Sequence, residues 1–82
     1  MVGAKEREFL KGLNDLIAET RDQQSIRKLR DLASETKRAI DGKRRLDSVV
    51  KVLRGLAERG EVPTRAFKIA NRYDDPEAIR IL

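Results

Sequence analysis

In SIRKLRDLASETKRAI, residues 25–40, apolar or small side chains recur at Ile26, Leu29, Ala33, Thr36 and Ile40. Steps of three, four, three and four residues place them on one seam of an α-helix, the a and d positions of a heptad, with Leu32 widening the stripe. The preceding RDQQS breaks the periodicity. The following DGK stops it, with Gly42 suited to the left-handed position just past a helix end.

The same period extends outward on both sides. Phe9, Leu10, Leu13, Leu16 and Ile17 predict a first helix over about residues 4–20. Leu46, Val49, Val50, Leu53, Leu56 and Ala57 predict a third helix, closed by Gly60. Val62, Ala66, Phe67, Ile69, Ala70 and Tyr73 predict a fourth, with Pro63 in its first turn, where a missing N–H is harmless. DDPE reads as a stop and restart: Asp75 caps, Pro76 takes the first helical position, and EAIRIL forms a short fifth helix. The expected fold is all-α in one domain, residues 1–82. Two antiparallel helical hairpins, 4–41 and 44–73, form a four-helix arrangement, and 74–82 is a C-terminal appendix. A shift of 40 residues lays Phe9, Leu10, Leu13, Leu16 and Ile17 on Val49, Val50, Leu53, Leu56 and Ala57, as a repeated hairpin would. A shift of 38 lays Arg27, Leu29, Arg30 and Leu32 on Arg65, Phe67, Lys68 and Ala70.

Two glycines fall inside predicted helices, where each costs about 1 kcal/mol relative to alanine. Gly12 borders the apolar face and permits close helix approach. Gly55 lies on the polar face, and the pattern does not explain it.

Composition narrows the function. With 82 residues the core is limited, and with no cysteine it has no disulfide to brace it. Hydrophobic residues at 39% are too many for a disordered polyelectrolyte. No run approaches the about 20 apolar residues that cross a bilayer, and MVGAKEREFL is too charged for a secretory leader, so a cytoplasmic protein without a membrane partner is expected. Few thermolabile residues and abundant charge tend toward a thermophile.

An enzyme is not expected. Without histidine or cysteine there is no imidazole base, thiolate nucleophile or zinc knuckle, and no glycine-rich loop opens a helix. Asp15/Glu19 and Asp31/Glu35 can each bracket a hard cation at i, i+4, but Lys11, Arg27 and Arg38 stand one turn away. Solvated ion pairing is the plainer reading. No cofactor, metal or small-molecule substrate is expected.

The charge is uneven. Net charge is +5, and residues 21–45 alone, with nine basic and four acidic side chains, account for an excess of that size. Arg27, Arg30, Lys37 and Arg38 gather opposite the apolar seam of the second helix, and Lys43, Arg44 and Arg45 follow across the turn. Arg65, Lys68 and Arg72 form a second row on the fourth helix. Such rows follow phosphates. Arg27–Asp31, Glu35–Arg38 and Asp47–Lys51 are spaced to pair instead as ordinary surface charges. No base-reading motif is present, and Phe9, Phe67 and Tyr73 all fall on apolar faces, so contact with backbone and shape is expected rather than contact with bases. Structured RNA or a ribonucleoprotein, foremost the ribosome, is the leading partner. DNA or chromatin is the second. A protein partner or homo-oligomer, met through the seam of the second helix or the apolar C-terminus, is the third.

GEVPTRAFKIAN, residues 60–71, after a leucine-rich helix, resembles a small archaeal all-helical family of uncharacterised function whose members are two helical hairpins. Val62 and Pro63 match its Val/Ile-Pro-x-x-x-Arg opening, Ala66 and Ala70 match less specifically, and Arg65 stands one or two positions from its basic site. In the first half Ile26, Arg27 and Lys28 carry the likeness. Gln23 departs from it where a proline would stand, and YDDPE departs from it by breaking the last helix. The resemblance spans residues 10–73 and implies the fold and an archaeal source. It implies no activity, since the family has none established.

Overall fold

The structure, a computed structural model, describes residues 3–74. Four helices follow in order: α1 (Ala4–Glu19), α2 (Gln23–Asp41), α3 (Asp47–Glu58) and α4 (Arg65–Asp74). Among the described residues there is no strand. The expected fifth helix lies outside them, as does the capping role of Asp75.

The first three helices end for local reasons. α1 stops at Thr20, whose hydroxyl and N–H both donate to the Leu16 carbonyl, at 2.6 and 3.0 Å. Asp22 then caps α2 by accepting from the Ser25 N–H at 3.1 Å. α2 closes with the Arg44 N–H on the Ala39 carbonyl (2.7 Å) and the Lys43 N–H on the Ile40 carbonyl (3.1 Å), a Schellman pair. The left-handed residue is therefore Lys43, at φ 56°, and not Gly42, whose φ is −87°. The helix runs one residue further than the glycine signal implied. α3 closes the same way, with Gly60 at φ 73° as expected. Pro63 precedes α4 instead of entering it: its carbonyl accepts from Ala66 at 3.0 Å, and the helix proper begins at Arg65.

The core draws on every helix. All six apolar residues expected on α3 are buried, as are Phe9, Leu13 and Leu16 of α1 and Ala66, Ala70 and Tyr73 of α4. Leu10, Ile17, Phe67 and Ile69 are half-buried at the rim. On α2 the buried line is Ser25, Leu29, Leu32, Thr36 and Ala39. The helix is thus rotated from the expected seam, and Ile26, Ala33 and Ile40 sit half-buried beside it. Two polar residues enter this core because each is satisfied: Thr36 donates to the Leu32 carbonyl at 2.7 Å, and the Ser25 hydroxyl lies 2.8 Å from both Asp22 Oδ2 and the Glu61 carbonyl.

α1 lies against α2 and α4, and α3 lies against α4 and, over a smaller area, α2. α1 and α4 run antiparallel. Phe9 meets Tyr73 edge to face (centroids 5.5 Å apart), Gly12 lies against Ile69, and Glu19 pairs with Arg65. Gly12 permits the close approach: a Cβ there would stand 3.2 Å from both Cγ1 and Cγ2 of Ile69.

Candidate nucleic-acid interface

α2 presents its outer face because its inner line is committed to the core. Arg27, Arg30, Lys37 and Arg38 are all exposed on that outer face, and the Schellman turn carries Lys43, Arg44 and Arg45 into solvent beside its end. A groove of about 450 Å³ between the end of α2 and the start of α3 is lined by Arg38, Arg44, Arg45 and Ser48, with Glu35 and Asp41 also on its walls.

The pairing of these cations is sparse. Arg38 reaches Glu35 at 3.9 Å, as its spacing suggested, and Arg45 reaches Asp47 at 3.3 Å. Both pairs are largely exposed, and such pairs contribute about 0–1 kcal/mol. Among the described residues Arg27, Arg30, Lys37, Lys43 and Arg44 have no carboxylate within 4 Å. The expected Arg27–Asp31 and Asp47–Lys51 pairs do not form, and Asp47 turns to Arg45 instead.

The second row has different surroundings. Arg65 pairs with Glu19 of α1, and Lys68 and Arg72 line a groove of about 490 Å³ with Gly12 and Asp15. The α4 row therefore faces the carboxylate-bearing side of α1, whereas the α2 row faces solvent. Sequence reading missed this, since Arg65 and Glu19 are 46 positions apart.

A three-residue ion cluster lies elsewhere. Glu61, in the α3–α4 connection, accepts from Arg59 Nε at 2.6 Å and from the Lys28 ammonium of α2. These two bonds, that from Arg59 first, hold its carboxyl down at about 2. Asp22 is also lowered, by the Ser25 hydroxyl and N–H. Both clusters brace the start of α2 against the α3–α4 connection, and their geometry is that of structural ties. Among the described residues no three acidic side chains converge as a metal site would require, and no helix is long and apolar enough to cross a membrane. Glu19, Glu35 and Asp74 instead face Arg65, Arg38 and Arg54.

Comparison with protein-family models, curated proteins and solved structures found no match.

Proposed function

We propose that this protein is a non-enzymatic basic helical module that docks on structured RNA or a ribonucleoprotein, foremost the ribosome, through phosphate contacts. Arg27, Arg30, Lys37, Arg38, Lys43, Arg44 and Arg45 make the contact. The observation carrying this reading is the continuity of the row: it runs along solvent-facing α2 and around a turn whose left-handed position is taken by lysine. A non-glycine residue there costs about 1–2 kcal/mol, and the residue that bears this cost is a cation exposed at the end of the row. Arg65, Lys68 and Arg72 are secondary, given the carboxylates facing them. The same reading makes residues 4–41 and 44–73 two antiparallel hairpins, with a fifth helix beyond them, in a cytoplasmic protein of the archaeal family described above.

The test is co-sedimentation with ribosomes and with structured RNA across a salt series, beside the K43E/R44E/R45E variant. Seven phosphate contacts predict a loss of affinity of roughly 10³–10⁴-fold between about 50 and 200 mM salt, and loss of binding in the variant. These side chains are exposed, so the variant keeps its helical circular dichroism. Absent binding at low salt removes the proposal and leaves the stretch a solvated turn.

A further inference from the structure

The face formed by α1 and α4 carries two adjoining grooves. One, of about 410 Å³, is lined chiefly by Phe9, Gly12, Ile69 and Tyr73, with Glu8 at its side. The other, of about 490 Å³, is lined by Asp15, Arg65, Lys68 and Arg72. Gly12, Ile69 and Arg72 belong to both, so the two form one trough between the helices. Its walls differ in charge. The α4 wall is Arg65, Lys68 and Arg72. The α1 wall holds Glu8 and Asp15, with Lys5 turned over the Tyr73 ring, 4.7 Å from its centroid. Glu19 pairs with Arg65. Among the described residues Lys68, Arg72, Glu8 and Asp15 have no partner of opposite charge within 4 Å.

We infer that this face is a homodimer interface, complementary to itself. A twofold axis laid along the trough, in the plane of the face, sets α1 of a second copy over α4 of the first at the same level. The level is fixed within one chain: Phe9 is opposite Tyr73, Gly12 opposite Ile69, and Glu19 opposite Arg65. A second copy's carboxylate at position 8 then descends on Arg72, and its carboxylate at position 15 descends between Lys68 and Arg65. The reciprocal contacts follow by symmetry, as an isologous interface requires. Phe9 and Tyr73 are already buried within the chain, so what closes on its own image is the half-buried floor at Gly12 and Ile69. Charge complementarity selects this occupant: a uniformly acidic partner would set its charge against Glu8 and Asp15, and a uniformly basic one against the α4 row.

Size sets the strength. Helices of 16 and 10 residues are about 24 and 15 Å long. At about 10 Å of width each they offer about 400 Å² per copy, half the usual 800 Å². The dimer is therefore weak, with a Kd of about 10–100 μM, and weakened by salt. It uses α1 and α4 alone, so it stands or falls apart from the RNA reading, and it assigns Lys68 and Arg72 to protein contact.

The test is sedimentation equilibrium up to about 0.5 mM chain at about 50 mM salt. It uses wild type and two charge-reversed variants, E8K/D15K and K68E/R72E, each checked for folding by circular dichroism. Wild type should dimerise and dissociate as salt rises. Each variant alone should be monomeric, since the position 8–72 and 15–68 contacts across the copies become repulsive, and the Arg65 that remains is already paired with Glu19 of its own chain. The two mixed in equal amounts should dimerise, because each then supplies the charge the other lacks. A folded wild type that stays monomeric, variants that dimerise as wild type does, or a mixture that stays monomeric would each overturn the inference. Dimers unaffected by either reversal would assign the contact to another face.

Discussion

Gly12 of α1 and Ile69 of α4 approach so closely that a methyl group on residue 12 would stand 3.2 Å from two carbons of the isoleucine. Alanine there gains about 1 kcal/mol of helix propensity, but the two helices must part by a few tenths of an ångström. Gly55 is the opposite case: a methyl group would meet only the Arg59 guanidinium at 3.6 Å, an ordinary contact. G55A should therefore stabilise by about 1 kcal/mol, raising Tm by about 4–8 °C. G12A should gain none of this, and G12L should lose about 1–3 kcal/mol by overpacking. Thermal unfolding of the three variants tests the contrast. An equal gain from G12A and G55A would mean that the α1–α4 approach is not tight.

Lys43 occupies a left-handed conformation that glycine adopts without a Cβ penalty. K43G should stabilise the bundle by about 1 kcal/mol in urea unfolding while removing one cation from the row. G60A, at φ 73°, should destabilise by a similar amount. A neutral or destabilising K43G would show that the lysine side chain itself supports the turn.

Acid should loosen the start of α2 first. The Glu61 carboxyl is held at about 2 by Arg59 and Lys28, below its ordinary 4.5, so between those pH values the unfolded chain binds more protons than the folded one. Stability from these bonds is complete above about pH 5 and drains away as pH falls toward 2. Asp22, lowered by Ser25, acts with the same sign. At the other end burial raises the Tyr73 phenol above its ordinary 10, so its contribution is lost as pH climbs through that raised value. E61Q should flatten the acid limb of a stability–pH profile measured by urea titration and leave the alkaline limb unchanged. An acid limb that is the same in E61Q and wild type would assign the loss to other carboxylates.

How much of this was legible from sequence depended on whether apolarity alone marks the inner face. On α3 it does: Leu46, Val49, Val50, Leu53, Leu56 and Ala57 are the buried set. On α2 it does not. Ser25 is inside because Asp22 and the Glu61 carbonyl present acceptors to it, and Ile26 and Ile40 are larger than the Ser25 and Ala39 that displace them from the central line. A pattern of hydrophobicity therefore rotates the helix by about one position. Glycine misleads similarly at the turn after it, where the Ala39–Arg44 hydrogen bond, and not Gly42, sets the register. The cations of α2 could be found as a row because their spacing is local. The carboxylates facing Arg65, Lys68 and Arg72 could not, since α1 and α4 stand at opposite ends of the described chain.

Ser25 and Ser34 lie on the same helix in opposite environments, and their alanine variants should move stability in opposite directions. The Ser25 hydroxyl is buried, and its single proton serves either Asp22 Oδ2 or the Glu61 carbonyl, each 2.8 Å away. Alanine would leave that carbonyl facing a methyl group and loosen the Asp22 cap, a loss of about 1–2 kcal/mol. Ser34 is exposed within α2, where alanine is the better helix former, so S34A should gain a few tenths of a kcal/mol, about 0.5 at most. Loss in S25A should also weaken the hold on Glu61, so its acid limb should be shallower than wild type. Urea unfolding at neutral and acid pH reads both effects. If S25A matched S34A, the tie between the α2 cap and the α3–α4 connection would contribute nothing to the fold.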